Sequence, residues 1–259
     1  MLIKKIFLAI LVVLGLTSCS CSRENTSFAF SSGGPLVTQT RSLRGFESIE
    51  ILGSPTVFYQ QGDSFSVKVK GPKEMVDNIL TDVSLRKLTI RNRGKIGLFN
   101  VSFGNDNKLA VYVTSPDLVS VHLGGSGDFI SEKTVDTDVI NISLKGSGDI
   151  QFADLLCDHC NIEVVGSGDA SVRNLDTRET DVVLIGSGDV NIRQQNAKAT
   201  RLTLRGSGDV NVEFGSGCGS VDAELMGSGD IGLRGTVQSF NKQKHGSGDI
   251  DTDKLKVGY

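Results

Sequence analysis

The tetrapeptide Gly-Ser-Gly-Asp occurs seven times, beginning at Gly125, Gly146, Gly166, Gly186, Gly206, Gly227 and Gly246, an almost constant interval. A period that short, held over about half the chain, dictates a stack of equivalent coils and argues against a globule with one unique core. Alignment on the Asp gives the register. The next residue is Phe129, Ile150, Ala170, Val190, Val210, Ile231 or Ile250, and two further on come Ser131, Phe152, Val172, Ile192, Val212, Leu233 and Thr252. Mostly polar residues lie between them, so a short strand with one inward face leaves each turn. A second strand leads into the turn. It carries Leu123, Leu144, Val164, Leu184, Leu204 and Leu225 two residues before the tetrapeptide, and Val121, Ile142, Ile162, Val182, Leu202 and Ala223 four before it.

No coil of this kind buries its apolar face alone; stacking makes a continuous interior column with like residues above like. The polar middles, such as Arg173 to Glu179 or Arg193 to Lys198, are expected to close each loop. The expected fold class is therefore all-β: a single-domain parallel β-helix (β-solenoid) of about 20 residues per coil. An antiparallel up-and-down barrel explains the fixed period less well, because hairpins alternate strand direction. In the last coil Lys242 and Lys244 take the inward positions, and Asp251-Thr252-Asp253-Lys254 follows, as a cap on an open apolar end requires.

Residues 43–123 read as degenerate coils of the same domain, which runs over 43–259 with regular repeats over 125–259. Ile49-Glu50-Ile51-Leu52-Gly53-Ser54 reproduces the strand-then-Gly-Ser signature, and Val67-Lys68-Val69-Lys70-Gly71 does so without the Asp. Val76, Ile79 and Leu80 have helical spacing, which predicts one short helix over about residues 73–80 covering the N-terminal end. Leu85 to Ile90 and Leu109 to Val113 read as strands around a loop rich in Gly, Asn and Arg. Gly45-Phe46-Glu47-Ser48-Ile49 opens this domain, Ser115-Pro116-Asp117-Leu118 precedes Leu123, and turns such as Gly188-Asp189-Val190-Asn191 follow. The combination resembles the bacterial head GIN domain family, described as putative auto-transporter adhesin. The resemblance implies a secreted or surface β-helix with an adhesive role, and it carries over no catalytic residue.

The N-terminus points to export. Lys4 and Lys5 precede the apolar run Ile6 to Leu16, and small polar residues lead to Cys19, so residues 1–18 read as a signal peptide. Leu16-Thr17-Ser18-Cys19 resembles a lipobox in which Cys19 is lipidated; a plain cleaved signal or an uncleaved anchor helix is the other reading. Ser20 in place of Asp favours the outer membrane of a Gram-negative cell, facing the periplasm or the exterior. Residues 19–42, polar and Ser-rich, read as the lipidated Cys and a tether. The formal charge is −3, and loss of Lys4 and Lys5 (−3 − 2) takes the mature chain to −5. With no basic stripe, nucleic acid is not an expected partner.

The row Asp128, Asp149, Asp169, Asp189, Asp209, Asp230 and Asp249 should stack at the inter-strand spacing. Neighbouring carboxylates at ~4.8 Å repel by roughly 1 kcal/mol in water, so something must offset them. The structural reading has each carboxylate accepting backbone N–H bonds at its own turn. The other has cations, Ca²⁺ first, bridging the row, although no facing ligand row exists. Seven equivalent carboxylates offer no acid and base in distinct environments, so no catalytic residue is assigned and the chain reads as a non-enzyme. Cys157-Asp158-His159-Cys160 lacks a second CxxC for zinc, and Cys218 falls three coils away; a local disulfide or free buried thiols are the expectations, with no metal site and no cofactor. Val165, Val183 and Ile185 would form a small exposed apolar patch. The partners expected are the membrane, through the lipid anchor, and an envelope or surface protein. With no Trp and three Tyr, protein contact ranks above glycan contact. A binding or scaffolding lipoprotein is the favoured function. A glycan-processing enzyme on the same fold and a calcium-stiffened spacer are the alternatives.

Overall fold

The structure, a computed structural model, describes residues 35–93 and 109–258. The signal peptide, Cys19, most of the tether and the Gly/Asn/Arg-rich loop lie outside the described residues. Two rows of strands wind the coil. The approach row, leading into the turns, stacks β6 (Lys87–Asn92), β2 (Ser48–Gly53), β8 (Ser120–Gly125), β10 (Val139–Gly146), β12 (His159–Gly166), β14 (Glu179–Gly186), β16 (Ala197–Gly206) and the C-terminal halves of β17 (Val210–Gly227) and β18 (Ile231–Gly246). The exit row stacks β7 (Ala110–Ser115), β3 (Thr56–Gln61), β9 (Asp128–Asp136), β11 (Asp149–Leu156), β13 (Ala170–Asp176), β15 (Val190–Gln195), the N-terminal halves of β17 and β18, and β19 (Ile250–Val257). Every neighbour in both rows is parallel, and the first glycines of the turns lie in one register line from Gly53 through Gly125 to Gly246. The chain is thus a β-solenoid with about 20 residues per coil.

The alternation read from the sequence is what the coil buries. Val121, Ile142, Ile162, Val182, Leu202 and Ala223 line the interior of the approach row, and Phe129, Ile150, Ala170, Val190, Val210 and Ile231 that of the exit row. Tyr59, Phe129 and Phe152 stack through three successive coils at 5.9 and 5.2 Å between ring centroids. The middles are more than polar closures, which corrects the expectation for them. The exit strands shift register between Phe152 and Asp154 and between Val172 and Leu175, and the chain then turns a further column inward: Val135, Leu155, Leu175, Gln194 and Phe214 in line, all buried. Each coil therefore presents a third inward side. Its side chains join those of the other two sides in one buried core.

The N-terminal part departs from a simple sequence of coils. Ile49 to Ser54 does form a coil, but β2 and β3 lie directly under β8 and β9, while β6 and β7, later in the chain, lie beneath them. Val67 to Gly71 is no coil: it belongs to β4 (Ser66–Pro72), which runs antiparallel to β7. β1 (Leu36–Arg41) pairs antiparallel with β4, so the C-terminal end of the expected tether is a strand of the domain. Helix α1 (Lys73–Asn78), with Val76 buried, leads into β5 (Ile79–Ser84), antiparallel to β6. The strand expected from Leu85 starts two residues later, because Leu85 and Arg86 form the hairpin turn at φ of 51° and 61°. At the other end Lys242 and Lys244 sit in register with Ala223 and Leu225 and are exposed on the last approach strand.

Candidate functional site

The turn ladder follows from the tetrapeptide. The first glycine of each turn takes a φ between +133° and +150°, which an L side chain rarely adopts. At the second glycine the constraint is approach alone: a Cβ on Gly188 would lie 2.0 Å from the Gly168 carbonyl oxygen. That closeness lets Ser and Gly N–H groups of one coil converge on the first glycine's carbonyl of the coil before, as Ser207 (2.8 Å) and Gly208 (3.2 Å) do on Gly186.

The Asp side chains continue the same device. Oδ1 of Asp149, Asp169, Asp189, Asp209 and Asp230 accepts the backbone N–H of the Asp one coil on, at 3.2, 2.8, 3.0, 3.0 and 2.6 Å. The bond runs between coils and not within a turn, a correction of the expected geometry. It has a physical advantage: each carboxylate offsets the repulsion of its neighbour by clamping that neighbour's backbone. At the ends the pattern changes. Thr56 takes the Asp position beneath Asp128 and donates its hydroxyl to Asp128 Oδ2 (3.1 Å). Asp249, last in the row, meets the Lys244 ammonium at 3.2 Å, which holds its carboxyl below the usual range. Among the described residues, no group of three or more His, Cys, Asp or Glu is arranged to hold a metal ion.

Val165 and Ile185 are direct neighbours on the outer face of the approach row, with Val183 two residues before Ile185 and beside Glu163. Ile185 is 37% exposed. Lys145 and Arg205 bracket the pair in the same line, so the patch is small and ringed by charge.

Cys157, Cys160 and Cys218 are free thiols, Cys160 and Cys218 buried and Cys157 half-buried. The Cys160 thiol hydrogen-bonds that of Cys157, lowering the Cys157 pKa; the same contact and complete burial push Cys160 well up. Burial also raises Cys218. Above the pair the column stays polar. Thr180 donates to Gln194 Oε1 (3.0 Å), Gln194 Nε2 donates to Thr200 Oγ1 (2.6 Å), and Thr200 meets Cys218 Sγ (3.5 Å). This closed network satisfies buried groups that would otherwise cost stability.

Sequence inspection missed the outer face of the exit row. There Tyr112 and Phe58 stack at 5.4 Å with 16° between ring planes. Two shallow cavities of about 460 and 370 Å³ lie along this face, the larger flanked by Arg173, Arg193 and Arg234, the smaller by Tyr112 and Phe58.

The sequence profile of the family described as "Putative auto-transporter adhesin, head GIN domain" matches residues 45–217. The chain belongs to the head GIN domain family. The matched span opens shortly before β2, at Gly45 and Phe46, and runs through the Gly-Ser-Gly-Asp turns from Gly125 to Gly206, ending at Gly217. A comparison with curated proteins finds no match. Among solved structures, a putative adhesin from Bacteroides fragilis aligns at 23% identity with a TM-score of 0.70, covering 87% of this chain and 98% of its own. A putative adhesin from Parabacteroides distasonis aligns at 19% and 0.69, and a protein from the same organism described as a putative lipid binding protein at 18% and 0.64, each with the same coverage of both chains. At these identities the likeness is one of fold.

Proposed function

We propose that this head GIN protein is a non-enzymatic lipoprotein of the cell envelope, cleaved after residue 18, lipidated at Cys19 and held on the outer membrane, where its solenoid serves as an adhesive or binding surface. One observation carries the reading. Every internal Asp of the repeated turn is committed to its neighbour's N–H in one and the same way, so the row is a folding device and its carboxylates are not differentiated into acid and base. What the stack offers a partner is its outer rows of side chains, in a family described by adhesion.

Two measurements test this. Cells expressing the full chain should incorporate labelled fatty acid, and Cys19→Ser should abolish incorporation and release the protein from the membrane fraction. The chain from residue 20, immobilised on beads, should be retained by cell or matrix surfaces. Turnover of a glycan by the same protein, abolished by a single Asp substitution, would overturn the reading. Melting with and without chelator addresses the calcium spacer, and the ladder predicts an unchanged midpoint.

A further inference from the structure

Charge on the solenoid is segregated along its axis. Residues 109–235, most of the coil stack, carry nine Lys and Arg against nineteen Asp and Glu, 9 − 19 = −10. Residues 35–93 carry nine against six, 9 − 6 = +3. They include the base of the stack, where β4 and β1 close the exit row below β7, and β5 closes the approach row below β6. Of the six acidic residues, Asp77, Glu47 and Glu50 are held by Lys73, Arg86 and Lys87, leaving Asp63, Glu74 and Asp82. The remaining basic residues are Arg44, Lys68, Lys70, Arg91 and Arg93, all exposed, and Arg41, whose guanidinium donates to the Val76 and Ile79 carbonyls.

The same end carries the most exposed large apolar side chain among the described residues, Leu85 at 97%. Leu85 and Arg86 form the tip of the β5–β6 hairpin, at positive φ, where Asn and Gly are the usual occupants. A turn that holds leucine in left-handed backbone and leaves it in solvent gains nothing for the fold from that side chain. Leu36, on β1, is 52% exposed, and Phe65, just before β4, is 37% exposed. The chain arriving from Cys19 enters the fold at β1, so the anchor of the proposed function leads into this end.

We propose that the base docks on the anionic phospholipid surface of the membrane that holds the protein, with its Lys and Arg against the headgroups and Leu85 entering the interface, so that the coils stand off the bilayer. The proposal rests on the reading of the chain as a Cys19 lipoprotein. The field of an anionic bilayer falls off within a Debye length, ~8–10 Å, so it acts on the last strands of the stack and not on the coils above. β4 and β6 stand one strand, ~4.8 Å, from that end. A solenoid lying on its flank would bring the −10 surface to the same headgroups. A second copy docked base to base would oppose +3 to +3, whereas an anionic membrane is complementary. The opposite end, residues 236–258, is nearly neutral at 4 − 3 = +1. The acyl chain would hold the protein, and the base would set its orientation.

The chain from residue 20, which carries no acyl anchor, is sedimented with vesicles of phosphatidylethanolamine mixed with phosphatidylglycerol or, as the neutral arm, with phosphatidylcholine. Binding at least about tenfold stronger to the anionic vesicles is expected, weakening as salt is raised. Arg44→Ala with Lys68→Ala and Lys70→Ala takes residues 35–93 from +3 to 0 and should lower binding about tenfold or more, and Leu85→Ser several-fold. Lys242→Ala with Lys254→Ala and Lys256→Ala, at the opposite end, should leave it within about twofold. All seven side chains are exposed, and far-UV circular dichroism checks the fold of each variant. With Cys21, Cys157, Cys160 and Cys218 replaced, an environment-sensitive dye on Ser84→Cys should shift to the blue on anionic vesicles, and one on Ser247→Cys should not. No binding, equal binding to both vesicles, equal loss in the two triple variants, equal dye shifts at the two ends, or self-association without vesicles that Leu85→Ser abolishes overturns the docking. Fatty-acid incorporation at Cys19 is read separately. Incorporation without vesicle binding would remove the docking and leave the lipoprotein reading intact, whereas absence of incorporation would remove both.

Discussion

Replacing Gly186 by alanine should open the stack at one interface. Gly186 holds a φ of +136°, and a Cβ built there lies 2.0 Å from the Gly166 carbonyl oxygen, where real Cβ atoms essentially never come under 3.0 Å. The two coils must part by roughly 1 Å at that corner, a gap that forfeits up to about half of the dispersion energy across it. It also loosens the bond from Ser187 N–H to Gly166 O (2.8 Å) and disturbs the two that Gly186 O accepts from Ser207 and Gly208. A side chain in this backbone region costs about 1–3 kcal/mol, and each hydrogen bond contributes about 0.5–1.5 kcal/mol. With partial relaxation the loss is about 3–6 kcal/mol, beyond most single substitutions. Urea unfolding followed by far-UV circular dichroism is the assay, since the chain has no Trp. Because a solenoid's stability is a sum of coil and nearest-neighbour terms, a weak central interface should also broaden or split the transition. Ser187→Ala, at an exposed side chain in the same turn, should stay within about 0.5 kcal/mol of the parent. A Gly186→Ala protein with the parent's midpoint and slope, or equal loss in Ser187→Ala, would refute the reasoning.

The Asp ladder, the buried tyrosine and the thiol pair each give a further test. Asp189→Ala removes the acceptor of Asp209 N–H and should cost about 1 kcal/mol in the same unfolding assay, whereas Asp189→Asn keeps an acceptor, sheds a like charge and should match or exceed the parent. Burial pushes Tyr59 up to about 12, so between pH 10 and about 12 the unfolded chain releases a proton that the folded one retains. Stability should therefore fall through that window in pH-dependent melts, and Tyr59→Phe should remove that component of the fall. Alkylation of the native protein, mapped by peptide mass spectrometry, should label Cys157 ahead of Cys160 and Cys218, because the lowered pKa and partial exposure both belong to Cys157; equal labelling of Cys160 would contradict the assignment.

The stack was legible because the tetrapeptide enforces it: a carbonyl oxygen 2.0 Å from where a Cβ would be, as at Gly186 and Gly188, admits glycine alone, so the glycines mark every turn. The inward columns of both rows were legible from period two. The third side was not. Gln194 occupies the same column as Leu175 and Phe214, and the register shifts move the column relative to the turn, so that Val135 follows its Asp by 7 residues, Leu155 and Leu175 by 6, and Gln194 and Phe214 by 5. Period two is also blind to direction, which is why Val67 and Val69 looked like a coil while β4 runs antiparallel. The placement of β2 and β3 beneath β8 and β9 depends on pairing between residues as distant in the chain as Thr56 and Asp128, which local patterns do not encode. On the outer face of the exit row, Phe58 and Tyr112 lie far apart in the sequence and read separately as ordinary outward positions; only the stacking brings them together.

The stack itself can be measured with a spin label on one turn serine, Ser147, paired in turn with a label on Ser207, Ser228 or Ser247, all exposed, in the chain from residue 20 with Cys21, Cys157, Cys160 and Cys218 replaced. In-register parallel coils predict mean separations that grow by about 5 Å per coil, from about 14 to 19 to 24 Å, along a single line. Separations that fail to increase in that order, or that alternate from one turn to the next, would contradict it.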